Sequence, residues 1–248
     1  MMKKWLMTAV LAAAVTGVGA QSAKGTFSVQ PFVGGTASTV ANMVKYNLDG
    51  EQSGTKLDEF VNAGVIFGVE FAYQLYDVVS IAAGLNWSQQ GMAWERYDWS
   101  GRLQGDLQTE ALGNVSVKNL RVRNKVELGY VNLPLTASVY LYKGLAIKAG
   151  VQLGILTNAA EMSRFRGDGI AERRDMDFNM EFSRSIYEDC RKIDFSIPIG
   201  ISYEFKVPIV IDARYNIGVT RVNKEQIDGE KDWKNGVFRL TVGYKFKL

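Results

Sequence analysis

Apolar residues alternate with small or polar residues along eight stretches of the chain. In one of them, which begins at Val65 and ends at Leu75, the odd positions are apolar or aromatic, while Gly68 and Glu70 lie among the even positions. Successive side chains of a β-strand point to opposite faces, so each stretch predicts a strand with one apolar face and one small or polar face. The predicted strands are 26–36, 65–75, 79–87, 131–141, 145–155, 193–205, 209–219 and 238–248.

The connections between these predicted strands alternate between short and long. Most of the strands are close to the roughly 9–11 residues that a tilted strand needs to cross a bilayer. Short turns on one side and long loops on the other are typical of outer-membrane barrels. The pattern therefore predicts an all-β fold, an eight-stranded antiparallel up-and-down transmembrane β-barrel. The short turns are Tyr76-Asp77, Tyr142–Gly144 and Lys206–Pro208, and the long loops are 38–62, 92–126, 158–191 and 220–236.

A soluble β-sandwich would also alternate, but two features favour the barrel. The polar face is rich in Gly, Ala and Ser, which fits a narrow, filled lumen better than a solvated surface. Aromatic rings also gather at both ends of the predicted strands, and amphipathic rings prefer membrane interfaces. Two girdles are thus predicted. One contains Tyr73, Tyr76, Tyr140, Tyr142, Tyr203, Phe205, Tyr244 and Phe246, and the other contains Trp87, Trp94, Trp99 and Trp233.

The N-terminal segment has the pattern of an export signal. Lys3 and Lys4 precede an apolar run that ends in the small residues Val18-Gly19-Ala20. This run is shorter than the roughly 20 apolar residues of a membrane-spanning helix. Cleavage after Ala20 would lower the net charge from +3 to +1, because two lysines and no acids are removed. The predicted organisation is a cleaved signal peptide over residues 1–20 and an outer-membrane β-barrel domain over residues 21–248.

Two segments resemble the PorT-like outer-membrane barrel family of Bacteroidota. Tyr130-Val131-Asn132-Leu133-Pro134-Leu135 is similar to that family's Tyr-x-x-apolar-Pro-apolar strand. Asp194-Phe195, Gly200 and Tyr203-Glu204-Phe205 resemble its Asp-Phe…Gly…Tyr-Glu-Phe strand. The last strand looks like the signal that the barrel-insertion machinery reads, although Leu248 stands where an aromatic residue is commoner. The resemblance implies the outer membrane of a Gram-negative bacterium, and some relatives act in type IX secretion or gliding.

The composition argues against most enzymatic chemistry. The chain has no histidine, so a histidine general base is excluded. Its one cysteine, Cys190, forms no internal disulfide, and we interpret it as an incidental loop residue. A zinc site would have to be built almost entirely from carboxylates, which is unusual for zinc. We therefore predict a non-enzymatic protein with no catalytic, cofactor-binding or metal-binding residues, and the lack of a basic tract predicts no nucleic-acid partner.

The charged residues on the polar face are predicted to pair inside the barrel. An eight-stranded barrel is just wide enough to be filled by its own side chains, and isolated buried charges are costly. Above the predicted membrane zone, Leu120, Val122, Val126 and Leu128 alternate in the opposite phase from Val131, which predicts a bulge near Gly129-Tyr130. The predicted lumen charges are Glu70, Lys148, Asp194, Glu204, Asp212, Arg214, Arg239 and Lys245.

Two functions remain open from the sequence. The first is a scaffold that presents the long loops 92–126 and 158–191 to an unidentified protein or small ligand, with outer-membrane lipid and the insertion machinery as its other partners. The second is a narrow channel or small-solute transporter. Alternating Met176, Phe178, Met180 and Phe182 fit strands that extend above the membrane and equally a loop folded over the mouth. A monomer is expected.

Overall fold

The computed structural model describes residues 22–43, 58–94, 96–98, 107–109, 113–142, 144–171, 174–224 and 232–248, with only the backbone described at 97–98, 107–109, 113–120, 168–171 and 174–178. The predicted signal peptide and Trp99 lie outside these residues. The strands are β1 Phe27–Ala41, β2 Glu59–Tyr76, β3 Val79–Trp94, β4 Tyr97–Asp98, β5 Leu107–Thr109, β6 Gly113–Tyr142, β7 Leu145–Ala171, β8 Arg174–Ser185, β9 Ile193–Glu204, β10 Ile209–Gly218, β11 Lys234–Tyr244 and β12 Phe246–Lys247.

Eight of these strands form a closed antiparallel ring. Their order is β6-β3-β2-β1-β11-β10-β9-β7, and pairing between β6 and β7 closes the ring. Each ring strand is adjacent to the ring strands before and after it in sequence, and β11 returns to β1. The predicted eight-stranded up-and-down barrel is confirmed. Among the described residues, no helix has the length and apolarity to cross a membrane.

The lower barrel, next to the short turns, has an apolar outer face and a polar interior. Val33, Leu135 and Val151 point outward and are more than half exposed. The prediction of an aromatic girdle at the short turns fits the outer face, where Tyr73 contacts Phe27 and Tyr244 contacts Phe246 with ring centroids 4.6 Å apart in each pair. It is wrong for Tyr140, whose hydroxyl lies in the lumen and donates a hydrogen bond of 3.4 Å to Glu204. An apolar outer face around a polar interior is the arrangement of a membrane barrel.

Small inward residues allow this narrow ring to close around large side chains. Gly200 of β9 lies opposite Arg214 of β10 in the register. A Cβ atom at Gly200 would lie 2.2 Å from the carbonyl oxygen of Ala213 and 2.8 Å from Cγ of Arg214. A glycine is therefore needed there, both for the close approach of the two backbones and for the space that Arg214 occupies.

The upper barrel has the opposite polarity. On β6 the even residues point inward along the described strand, and Asn132, Thr136 and Ser138 line the polar lower interior. Farther up the same face, Val126 and Leu128 are buried in an apolar core, while Lys125 lies on the outer face. The outer face there meets water and not lipid, so the apolar residues turn to the inside. The reversed phase predicted for this region thus reflects a change of environment along a regular strand.

The predicted bulge lies at the expected height but on the neighbouring strand. The β6–β7 register shifts between Gly129, opposite Asn158, and Tyr130, opposite Leu156. The extra residue is Thr157 of β7, whose hydroxyl donates a hydrogen bond of 2.9 Å to the carbonyl oxygen of Gly129. Inward positions on β7 are even up to Leu156 and odd from Ala159 onward.

Strands β6, β7 and β8 continue beyond the ring as a sheet. The regions 92–126 and 158–191 were predicted as loops, and this prediction is wrong for much of both, because β6 begins at Gly113 and β7 continues to Ala171. β8 then pairs with β7 from Ala160, opposite Ser185, to Ala171, opposite Arg174. Of the two structures considered for 176–182, the extended strand is found, because this segment lies within β8. The mouth is covered instead by residues 186–192, which include the short 3-10 helix Tyr187–Asp189. We call the part of β6, β7 and β8 above the ring the projection.

Candidate functional site

A layer of buried ion pairs crosses the lower lumen. Lys148 Nζ lies 2.7 Å from Glu70 Oε1 and 3.1 Å from Asp212 Oδ2. Arg214 also bridges the two acids, with NH2 2.6 Å from Glu70 Oε2 and Nε 2.7 Å from Asp212 Oδ1. Arg239 NH2 lies 3.7 Å from Asp212 Oδ1, and its guanidinium lies over the Phe32 ring. The predicted internal ion-pair network is confirmed for these five charges, which join four strands.

The other predicted lumen charges lie at the two ends of the barrel. At the short-turn end, Glu204 accepts a 2.7 Å hydrogen bond from Lys245, and Lys247 approaches its other oxygen at 3.1 Å. At the opposite end, Asp194 accepts a 2.7 Å hydrogen bond from the Thr220 hydroxyl. Pairing with a base was expected for Asp194 as well, but among the described side chains no base lies within ion-pair distance of it, and the Thr220 hydroxyl is its hydrogen-bond partner.

Side-chain amides form a second layer above the ion pairs. Asn132 of β6 donates hydrogen bonds of 2.9 Å to Asn86 and 3.0 Å to Ser88 of β3. Gln152 of β7 donates to Asn132 at 3.1 Å, and Asn216 of β10 donates to Gln152 at 3.4 Å. This chain of amides spans the lumen, because it joins β3 to β10. Below it, a small polar cavity of about 20 Å³ lies between Glu70, Lys148 and Glu204. Such a volume holds about one water molecule.

An apolar layer closes the upper end of the lumen. Its wall comes from β1, β3, β6 and β7, and its roof comes from residues 186–192 and 219–224, which we call the lid. The lid is tied to the barrel by backbone hydrogen bonds from Ile186 N to Ala159 O at 3.0 Å and from Leu156 N to Lys192 O at 2.8 Å. A bond of 2.8 Å from Arg191 N to Val222 O joins the two lid segments. The buried residues of this layer are Val40, Met43, Met92, Trp94, Val122, Val126, Leu128, Tyr130, Leu156, Ala159, Ile186, Cys190 and Val222.

A cavity of about 240 Å³ lies between the lid, the barrel mouth and the projection, and we call it the mouth cavity. Most of its surface is apolar, and charged groups lie on one side. Of these, Arg184 lies 3.6 Å from Asp189, and both side chains are more than two-thirds exposed. The cavity therefore offers an apolar pocket with polar groups at its edge. Its lining residues are Met43, Trp94, Val126, Glu161, Arg184, Ile186, Asp189, Cys190 and Trp233.

Two of the tryptophans predicted for the outer aromatic girdle belong to this cavity. Trp94 is 2% exposed in the apolar layer, and Trp233 packs against that layer. Only Trp87, among the predicted outer tryptophans with described side chains, lies on the outer face, where its ring centroid is 5.5 Å from that of Phe67. Their placement in the girdle is thus wrong for Trp94 and Trp233, because proximity to a loop end does not distinguish the inner face from the outer face.

Cys190 is a packing residue of the apolar layer. It is 3% exposed and forms an isolated bridge with Asn223 across the lid, so its interpretation as an incidental loop residue is wrong. Burial raises the pKa of its thiol to about 11, and the negative charge of Asp189 adds to this effect. The thiol is consequently protonated at neutral pH and unreactive.

No residue was predicted from the sequence to be catalytic or to bind a cofactor or metal. Among the described side chains, no group of three or more acids and cysteines is close enough to hold a metal ion. The mouth cavity was missed by sequence reasoning. The available signal was the reversed alternation of Val122, Val126 and Leu128, which marks an apolar inner face above the membrane.

The closed eight-stranded ring, its apolar outer face and its polar interior define a small outer-membrane β-barrel protein. A family model described as "Outer membrane protein beta-barrel domain" matches residues 19–223, and the chain belongs to this family. The protein is located in the outer membrane of a Gram-negative bacterium. This match does not show membership of the PorT-like family of Bacteroidota. That membership stays a prediction.

Solved structures that are similar to this chain share low sequence identity with it. Ail, the attachment invasion locus protein of Yersinia pestis, solved with the heparin analogue sucrose octasulfate, is 13% identical, with 90% of this chain and 99% of that chain covered and a TM-score of 0.39. The N-terminal β-barrel domain of Pseudomonas aeruginosa OprF is 11% identical, with 91% and 100% covered and a TM-score of 0.33. Neisserial surface protein A is 13% identical, with 89% and 97% covered and a TM-score of 0.34. No curated protein matches the chain.

Proposed function

We propose that this protein is a non-enzymatic, non-conducting binding protein of the outer membrane. In this proposal the barrel is the anchor, and the lid, the mouth cavity and the projection recognise a partner or ligand outside the cell. The observation that carries the proposal is the mouth cavity, which opens outward between lid and projection while the apolar layer separates it from the lumen. An outward-facing apolar pocket with a few polar groups is the usual form of a ligand site.

The lining of the cavity indicates what it binds. Trp94 and Trp233 provide flat apolar walls, while Glu161, Arg184 and Asp189 lie on one side. A cavity of about 240 Å³ is smaller than most sites for whole cofactors, which begin at roughly 300 Å³. It suits one aromatic or branched apolar group that carries a polar substituent, such as an anchoring side chain of a protein partner.

Filling the cavity tests this proposal. Val126→Phe adds a ring to the cavity wall and should remove binding, while Val219→Phe, on an exposed lid position, is the matched control. Each variant is expressed in a strain that lacks the gene, and both should migrate faster on a gel before boiling than after it, as folded barrels do. We expect Val219→Phe to restore the phenotype of the deletion strain and Val126→Phe to fail. If a folded Val126→Phe protein restores it fully, the mouth cavity is not the binding site.

The channel remains the alternative, but the layers of the lumen do not support it. A conducting path needs continuous polar space, whereas the described lumen contains ion pairs, bonded amides and an apolar layer in series. The lack of a histidine base and of a clustered metal site among the described side chains supports a non-enzymatic role. A part in secretion or gliding rests on the PorT-like resemblance alone.

Export through a cleaved signal is part of the same proposal. Residues 1–20 have the charged start, apolar run and small-residue end of a signal peptide. The intact mass of protein purified from outer membranes should correspond to a chain that begins at Gln21. A mass that includes residues 1–20 would contradict cleavage after Ala20.

A further inference from the structure

Five basic side chains lie together on the outer face of β6 and β7, above the barrel wall. We call this set the basic face. The register places Arg121 opposite Arg166 and Arg123 opposite Arg164, so like charges face each other across the two strands. Directly opposed like charges destabilise a sheet. An anion at this surface would remove that cost. The fifth member of the basic face is Lys125.

Among the described side chains, acids pair with two of these five bases. Lys125 pairs with Glu127, and Arg164 donates hydrogen bonds of 2.9 Å and 2.6 Å to Glu181. Asp98 of β4 lies opposite Arg121 in the register. Among the described side chains, Arg123 and Arg166 have no ion-pair partner, and both are exposed.

The basic face borders a groove of about 170 Å³, which is wide enough for a phosphate group. Gly91 and Ala93 of β3 are the register partners of Glu127 and Lys125, and their small size leaves room for the longer side chains beside them. Arg guanidinium groups bind phosphate oxygens through two parallel hydrogen bonds. The groove is lined by Asn62, Ala63, Arg123, Lys125, Glu127, Met162, Arg164 and Glu181.

The height of the groove matches the headgroups of the outer leaflet. Trp87 contacts Phe67 on the outer face and is paired with Val131, which marks the upper membrane interface. Lys125 is six residues above Val131 on β6. Six residues of strand extend about 20 Å, and the tilt of barrel strands reduces the height to roughly 14 Å. The basic face therefore lies where the phosphorylated sugars of an outer-leaflet glycolipid are found.

We propose that the basic face binds the phosphate groups of the outer-leaflet glycolipid and orients the projection on the membrane surface. Clusters of Lys and Arg near a membrane surface recognise anionic headgroups in this way. The binding needs no contact with the mouth cavity, since the basic face points outward and the cavity lies on the inner side of the same strands.

The test uses the full-length protein purified in detergent and native mass spectrometry of its lipid complexes. The probes are bis-phosphorylated lipid A, the same lipid with both phosphates removed, and inorganic phosphate. The test variant is Arg123→Gln with Arg166→Gln, which removes two bases and breaks no described ion pair. The matched control is Arg191→Gln with Lys224→Gln, two exposed bases in the lid.

We expect the wild-type protein and the lid control to bind bis-phosphorylated lipid A at least tenfold more tightly than the dephosphorylated lipid. The Arg123/Arg166 variant should lose at least about tenfold in affinity for the phosphorylated lipid, because each base near an anionic surface contributes a factor of about five. Equal binding by that variant would overturn the proposal. Equal affinity of the wild-type protein for inorganic phosphate would also overturn it, because the site would then be one for a soluble anion.

Discussion

At the scale of single residues, Arg214 is the side chain on which the lumen depends most. It contacts Glu70 and Asp212 together and is 2% exposed. Replacing it with leucine leaves both buried carboxylates to Lys148, with only a distant contact from Arg239. Loss of one partner from a buried ion-pair cluster costs about 3–5 kcal/mol. We expect Arg214→Leu to lower the urea midpoint at which the folded gel band disappears by a corresponding amount.

Two comparisons show whether the loss of stability in Arg214→Leu comes from buried carboxylates that have lost an ion-pair partner. Lys206→Gln changes an exposed base in a short turn and should leave the midpoint unchanged. Adding Glu70→Gln to Arg214→Leu removes a carboxylate that has lost one of its two bases, so the double variant should cost less than the sum of the two single variants. An unchanged midpoint for Arg214→Leu would show that the other bases are enough.

The thiol of Cys190 provides a pH-dependent test of the apolar layer. Its pKa in the folded protein is about 11, against 9.0 for an ordinary thiol. Iodoacetamide reacts with the thiolate, so alkylation of the folded protein should be slow at pH 8 and should rise toward pH 11. The unfolded chain releases this proton first, so folding stability should fall as the pH rises from about 9 to 11. Rapid alkylation of the folded protein at pH 8 would contradict burial of Cys190.

Residue positions in the lumen could be predicted from the sequence, but most pairings could not. Strict alternation is sufficient to place Glu70 and Asp212 on the inner face. The contact of Glu70 with Arg214, 144 residues later, depends on strand register and on ring closure, which one sequence does not specify. Asp194 shows the same limit, because its partner Thr220 lies in the lid and carries no charge.

At the scale of elements, β6 shows why the strands were predicted well and the loops were not. Its lower half has apolar residues outside, so the alternation rule of membrane strands found it as 131–141. Its upper half begins at Gly113 and has its apolar residues on the inner face. The same rule therefore predicted a reversed phase and a loop for that half. The physical reason is that the solvent outside the barrel changes from lipid to water partway along one strand.

Reciprocal substitutions on upper β6 test this change of environment. Val126 is 2% exposed within the apolar layer, and Lys125 is its outward neighbour. Val126→Lys buries a charge and should cost more than about 3 kcal/mol, whereas Lys125→Val should change stability by less than about 1 kcal/mol. Unfolding in urea, followed by the heat-dependent gel shift, measures both. If Lys125→Val proves the more destabilising of the two, the outer face of this segment is not solvated.

At the scale of the whole molecule, the barrel contains three kinds of barrier in series. The ion pairs lie lowest, the amide chain lies above them, and the apolar layer with its lid closes the mouth. Membrane anchoring therefore uses the lower ring, while the groups that we propose for recognition lie on the lid and the projection. The lumen of this narrow barrel is filled by its own side chains, so the lower ring is stable without an open lumen.

The series of barriers predicts how the protein behaves in a planar lipid bilayer. Purified protein should give no steady conductance, because an ion would have to break buried ion pairs and then cross an apolar layer, where an unpaired charge is costly.

Variants of single layers test this series of barriers. The variant Arg214→Ala with Arg239→Ala weakens only the charged layer, so its lumen should remain closed. Replacing lid residues 186–192 with a Gly-Ser linker of the same length weakens only the apolar layer, and this variant should also remain closed. Both changes together with Asn132→Ala and Gln152→Ala, which remove the amide chain as the third layer, should conduct if the folded band persists on a gel. Sustained conductance of the unmodified protein would contradict the closed lumen and favour the channel, whereas conductance of one single-layer variant would show that the two remaining layers are not barriers.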